Sequence, residues 1–151
     1  MAHNEYWMRY ALKLANHALK VGEVPVGAVL VRSNKIISEG WNCSINTYDP
    51  TGHAEILALR RAGIILKNYR LLNTTLYVTL EPCIMCFGAI LHSRINHLVF
   101  GARDEIFGTT SSMLLKNMGC FNHQVQITGD ILQVDCANLL KNFFKQRRKK
   151  T

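Results

Sequence analysis

The stretch Leu76-Tyr77-Val78-Thr79-Leu80-Glu81-Pro82-Cys83-Ile84-Met85-Cys86 passes from strand-forming to helix-forming residues at Pro82, and that change decides the fold. Residues 76–80 are an apolar, β-favouring run that reads as a strand. Pro82 suits the first turn of a helix, where an amide hydrogen would have no partner, and the helix is expected over about 83–93. A further apolar run at 95–100 reads as the next strand. Strands that alternate with helices in this way belong to an α/β layered domain.

Outward from this unit, the pattern continues in both directions. Residues 53–66 set Ile56, Leu57, Leu59 and Ala62 among Arg60 and Arg61, a helical pattern opened by Asp49, Pro50 and Thr51. A polar loop precedes it from Asn42 to Gly52, and before that the runs 24–31 and 36–41 flank the turn residues Arg32, Ser33, Asn34 and Lys35, as a strand hairpin requires. Trp7, Tyr10, Ala11, Leu14, Ala15, Ala18 and Val21 recur at three- and four-residue steps, one face of a first helix that Gly22 ends. Toward the other end, 101–122 is polar and glycine-dotted with an apolar patch at Met113, Leu114 and Leu115, and it leads to a fifth strand at 125–128. A short helix in that stretch would be the crossover that lets the fourth and fifth strands lie parallel. Cys136, Leu139, Leu140, Phe143 and Phe144 are expected on one face of a closing helix. Without repeats or linkers, residues 1–151 read as one α/β domain around a sheet of about five strands.

Composition narrows the setting. A chain of 151 residues with 48% apolar content has the material for a core without disulfides. The cysteines, Cys43, Cys83, Cys86, Cys120 and Cys136, are odd in number and irregularly spaced, which fits reduced thiols and metal ligands in a cytosolic protein. Glu5 and Arg9 interrupt what would be the apolar part of a signal peptide, and the longest apolar run, 83–91, is about half the ~18 residues that span a bilayer. A soluble, cytoplasmic protein with no membrane partner is expected. Of the net charge of +8, six units come from Lys141, Lys145, Arg147, Arg148, Lys149 and Lys150, so the basic end of the closing helix, about 141–151, carries most of the excess. Such a cluster attracts a polyanion, and without a lipidation signal that points to nucleic acid; the other reading is a solvated helix end.

The chemistry is carried by His53-Ala54-Glu55 and Pro82-Cys83-Ile84-Met85-Cys86, each at the expected start of a helix. Cysteines three apart on a helix share a face, and a helix N-terminus favours the thiolate form that zinc needs. With His53 as third ligand they make a Cys₂His set with an open fourth position. Zinc bound by two thiolates is a weak Lewis acid, so a base beside its water is useful, and Glu55 is placed to be that base. The combination suits hydrolytic removal of an exocyclic amine from a nucleobase. Taken alone, Cys83 and Cys86 also fit a redox pair or half of a structural zinc site closed by Cys43, Cys120, Cys136 or His92. His-x-Glu followed by Pro-Cys-x-x-Cys is the signature of zinc-dependent nucleobase deaminases. His3, His17, His92 and His97 lack such a context and read as surface or packing residues, and Cys43, Cys120 and Cys136 as small buried hydrophobes.

Beyond these motifs, Val24-Pro25-Val26-Gly27-Ala28-Val29, Glu39-Gly40-Trp41-Asn42, Asp49-Pro50-Thr51-Gly52-His53-Ala54-Glu55, Val99-Phe100-Gly101-Ala102-Arg103-Asp104 and the closing Phe143-Phe144 make the sequence resemble, over nearly its whole length, the bacterial tRNA-specific adenosine deaminases of the cytidine-deaminase-like superfamily. The resemblance implies a three-layer α/β/α cytidine-deaminase-like fold with a central five-stranded mixed sheet. It implies one zinc ion per chain on His53, Cys83 and Cys86, catalysis by Glu55, and a homodimer that converts adenosine to inosine at the first anticodon position of a tRNA. The anticodon stem-loop would be met by Asn42, Asp104 and Glu23, and by Phe144, Arg147 and Arg148 beside the basic end. The sequence departs from the family pattern at Ile106-Phe107-Gly108-Thr109-Thr110-Ser111-Ser112, where a lysine and small residues are usual, and at Phe87, where alanine is usual. Two alternatives are a deaminase of a free guanine- or cytosine-type nucleobase or nucleotide, and a non-catalytic zinc module that binds RNA.

Overall fold

Helix α1 (Ala2–Lys20) buries Met8, Ala11, Leu14, Ala15 and Ala18, the stripe its apolar spacing requires, in the computed structural model, which describes residues 2–109 and 124–149. It ends where expected, with Gly22 at φ +83°. Strands β1 (Gly27–Arg32) and β2 (Lys35–Trp41) form the hairpin, with Ser33 and Asn34 both at positive φ. A two-residue turn of that kind matches the twist of paired strands. The first strand starts later than its apolar run, because Pro25 has no amide hydrogen for a ladder and Val26 donates to the Val24 carbonyl instead. Residues 24–26 become a turn, and Val24 and Val26 line the site described below.

The single turn α2 (Ser44–Thr47) lies within the expected polar loop, followed by α3 (Ala54–Leu66), β3 (Thr75–Leu80), α4 (Ile84–His92), β4 (His97–Ala102), β5 (Gln126–Thr128) and α5 (Gln133–Lys149). The sheet order is β2-β1-β3-β4-β5. β1 runs antiparallel to both β2 and β3, while β3, β4 and β5 are parallel, so the sheet is mixed. The expected crossover before β5 falls largely on 110–123, outside the described residues, as does Cys120.

Helices cover both faces. A Cβ on Gly27 would meet the Ala11 carbonyl of α1 at 2.2 Å, and one on the neighbouring strand's Gly40 would meet the Ala54 carbonyl of α3 at 2.1 Å. Gly27 pairs with Trp41 and Gly40 with Ala28, so the two glycines point to opposite faces. Helix α5 joins the α1 face, where Cys136 packs against Gly101. Helix α4 lies beside α3, and its Phe87, only 1% exposed, is a core residue together with Ile90, Leu76, Val78, Leu98 and Phe100. The result is a three-layer α/β/α arrangement.

Two expectations are corrected here. On α5, Cys136, Leu140 and Phe143 are buried at four- and three-residue steps, but Phe144, a further ~100° round the helix, is 46% exposed and leaves the apolar stripe. Cys43 is half-buried, not a core residue, whereas Cys136 is buried as expected. Among the described residues no helix is long and apolar enough to cross a membrane.

Candidate active site

Helices α3 and α4 begin with their caps facing one another. His53 and Cys83 are the N-cap residues, both in extended backbone (φ −83°, ψ 152° and φ −74°, ψ 175°), and neither uses its side chain to cap its own helix. The side chains are thereby left for each other. His53 Nδ1 lies 3.7 Å from Cys83 Sγ and 3.4 Å from Cys86 Sγ, and the three ligand atoms all fall within 4.8 Å of one another. Tetrahedral zinc with ordinary Zn–N and Zn–S bonds would separate nitrogen and sulfur by about 3.6 Å, so the set fits that ion. Among the described residues neither Cys43, Cys136 nor His92 joins the group, so these three donors are the ones the described residues supply.

The electrostatics agree. The Cys86 thiol donates to the Cys83 sulfur, and His53 adds its own hydrogen bond, so the Cys83 pKa is held at about 4 against the cost of burial. The same contact, with burial, pushes Cys86 up. His53 is raised, chiefly by its hydrogen bond to Cys83. Two sulfurs that together prefer one proton are a natural seat for a cation that replaces it.

Glu55, in the first turn of α3, is 4% exposed, and its pKa is pushed up to about 7, mainly by burial. A carboxyl near neutrality both accepts and returns a proton at little cost. Glu55 and His53 line a cavity of about 380 Å³, walled on one side by Val24 and Val26 of the turn before β1. Asn42, the residue after β2, lines it too, and its Oδ1 accepts from the Ala54 amide at 2.8 Å. An oxygen must face that amide, so the orientation of the Asn42 side chain is fixed and Nδ2 is its remaining donor.

Residues 1–102 match the model of the cytidine and deoxycytidylate deaminase zinc-binding region. The chain is 54% identical over 147 residues to the tRNA-specific adenosine deaminase of Haemophilus influenzae, spanning 96% of this chain and 85% of that protein. It is 53% identical over 154 residues to the protein of the same name from Buchnera aphidicola subsp. Baizongia pistaciae, spanning 97% and 91%. The chain belongs to the tRNA-specific adenosine deaminase family. It is a deaminase with a zinc-binding deaminase region. A solved structure from work on A-to-I editing by tRNA:A34 deaminases at the wobble position superposes with a TM-score of 0.85 at 36% identity, covering 89% of this chain and 99% of that one.

In this deaminase the remaining expected contacts divide. Asp104 lines the cavity, but its Oδ1 accepts from the Ile106 and Phe107 amides at 3.1 and 3.0 Å, so one carboxylate oxygen caps its own loop. Phe144 also lines the cavity, from the end of α5. The Arg147 guanidinium lies over the Phe143 ring and donates to the Gly22 carbonyl at 3.3 Å, which ties the basic end to the body; Arg148 is exposed nearby. Glu23 is not in the cavity wall. Its carboxylate, 1% exposed, accepts from the Ile45 and Asn46 amides and from Asn46 Nδ2, and so holds the start of α2.

Val24, Val26, Leu80, Glu81 and Phe107 line the cavity and escaped the sequence reading, and two of them bear on the argument. Glu81, buried between Leu80 and Pro82, accepts from the Asp104 amide at 3.1 Å, and a Cβ on Gly108 would lie 2.3 Å from its Oε1. Gly108 is therefore needed where it stands. An acidic residue at the end of a buried strand was the available signal. Phe107 is the second, and nothing in its spacing singled it out as a wall of the site.

Proposed function

We propose that this chain hydrolyses the 6-amino group of adenosine at the first anticodon position of a tRNA, leaving inosine and ammonia, as a single-domain cytoplasmic homodimer with one zinc ion per chain. The observation that carries the reading is a buried, near-neutral Glu55 beside the His53, Cys83 and Cys86 donor set, in a cavity lined also by the exposed aromatic side chains Phe107 and Phe144. Zinc held by His53 Nδ1 and the two sulfurs would acidify the attacking water and so supply a nucleophile at neutral pH. Glu55 takes the proton that the water loses as its oxygen bonds to the amine-bearing carbon. It passes that proton to the ring nitrogen beside this carbon, then moves a second proton to the amine, which leaves as ammonia while the carbon becomes a carbonyl. Asn42 Nδ2 offers a donor to an acceptor on the base, and the turn at Val24 and Val26 supplies apolar surface for its rings. A base must leave its stack to enter, which the unpaired loop of an anticodon allows at low cost.

The deciding experiment is ammonia release from an anticodon stem-loop, with inosine read at the first anticodon position. Turnover of free guanine or cytosine in its place would make this a small-molecule deaminase. Stem-loop binding without turnover would make it a binding module.

The homodimer rests on exposed apolar side chains of α3, of the loop after it and of α4: Ile64 (77% exposed) and Ile65 (58%), Tyr69 (76%), and Ile84 (53%). Sedimentation is expected to give twice the chain mass of 17.1 kDa, and a species of one chain mass at every concentration would contradict it.

The basic end is expected to act on affinity and not on bond breaking. Neutralising Arg147, Arg148, Lys149 and Lys150 should weaken stem-loop binding and flatten its salt dependence by up to about 3 units in the log–log slope, at ~0.7 per phosphate. Binding to RNA is measured across salt concentrations, and an unchanged slope would remove these residues from recognition.

A further inference from the structure

Ile106 and Phe107 are 82% and 67% exposed, two adjacent apolar side chains at the mouth of a site built for a polar substrate. An exposed apolar residue on a loose loop needs no explanation. This loop is not loose. Asp104 Oδ1 accepts from the amides of Ile106 and Phe107, the Gly108 amide donates to the Asp104 carbonyl at 2.8 Å, and the Thr109 hydroxyl donates to the carbonyl of Pro82, the residue before Cys83. Glu81, pressed against Gly108, accepts from the Asp104 amide on the other side. The backbone that carries Phe107 is thus tied to the backbone that carries a metal ligand. The Phe107 ring lines the same cavity as His53 and Glu55, and so does that of Phe144.

We infer that Phe107 is a base-stacking residue, which with Phe144 forms an aromatic rim for the nucleotide next to the target adenosine. The inference rests on the RNA reading above and deepens it. When one base enters the cavity its neighbours in the strand lose a stacking partner, and an aromatic side chain replaces that partner whatever the base. A rim meant only to exclude water would be served by any apolar side chain. The cationic residues that neutralise phosphates, Lys145, Arg147 and Arg148, share α5 with Phe144, while the 106–107 pair carries no charge. Backbone attraction is therefore left to the α5 element, while each of the two elements brings one aromatic ring.

The test is a cycle in which Phe107→Ala, Phe107→Leu and Phe107→Tyr are each paired with anticodon stem-loops that carry an abasic residue on one or the other side of the target. Phe107→Ala should lower kcat/KM on the intact stem-loop by about 5- to 150-fold, the range found for base–aromatic stacking. The loss should appear in KM and not in kcat, with the salt slope and the melting temperature unchanged. Tyrosine should restore binding and leucine should not. On one of the two abasic RNAs the wild-type and Phe107→Ala chains should bind alike, a coincidence that a structural role for the loop would not produce. If leucine serves as well as phenylalanine, or if the penalty of Phe107→Ala persists on both abasic RNAs, the ring is not stacking on a neighbour and the inference is wrong. Wild-type turnover of the stem-loop with equal turnover by Phe107→Ala removes this inference alone, whereas a wild-type chain that neither binds nor deaminates the stem-loop removes the functional reading and this one with it.

Discussion

Replacing Glu55 by glutamine is expected to cut single-turnover deamination of the stem-loop by at least ~10³-fold while zinc content stays that of the wild type. Proton transfer by one positioned group is typically worth ~10²–10⁴-fold, and Glu55 is asked to act at water activation, at the ring nitrogen and at the leaving amine, which places the loss toward the top of that range. Glutamine keeps the volume and removes only the titrating oxygen. Stability should not fall with activity. A carboxyl at 4% exposure whose pKa is raised to about 7 by burial is poorly solvated in its charged form, and the neutral amide avoids that cost. An equal or higher melting temperature beside a collapsed rate would mark Glu55 as a group held for chemistry and not for folding. Turnover within tenfold of the wild type would take Glu55 out of the mechanism.

What the sequence reveals of this site follows from how far each effect reaches along the chain. The hairpin was legible because Ser33 and Asn34 are local turn residues between two apolar runs, and the donor set because His53, Cys83 and Cys86 are chemically rare at helix starts. That both His53 and Cys83 are caps lying just outside their helices, not first helical residues, was a matter of one residue, yet it is what turns their side chains toward one another. Contacts between distant segments were not legible. Glu23 suggested a substrate contact by its place in the family pattern, but its carboxylate is occupied by the amides of a one-turn helix that no periodicity of four residues could announce. Phe144 sits beside Phe143 in an apolar pattern, and only the angle at which α5 crosses the sheet decides that one ring is buried and the other faces the cavity. Glu81 and Phe107 owe their places to a loop packed on the strand end, which is tertiary structure throughout.

Loss of a metal ligand should be still more damaging. Cys83→Ala is expected to reduce bound zinc from one per chain to near zero after dialysis, and turnover by at least ~10⁴-fold, because the metal would supply the acidified water and the nucleophile would be lost with it. Three ligands bring no redundancy: with His53 and Cys86 alone the site would hold two donors and two open positions, which is too few for tight zinc binding. Cys83 and Cys86 should differ in what else they cost. Cys83 is half-buried at the cavity wall, so its truncation leaves the core untouched, whereas Cys86 is 0% exposed and Cys86→Ala removes a buried sulfur as well as a ligand. Both variants should lose zinc and rate together, but when each is compared with the wild-type chain stripped by a chelator, Cys83→Ala should melt with it and Cys86→Ala below it. Restoring zinc should return turnover to the stripped wild-type chain and to neither variant. Full zinc retention by Cys83→Ala would assign the metal to other ligands, and zinc loss without loss of turnover would show that the deamination does not use it.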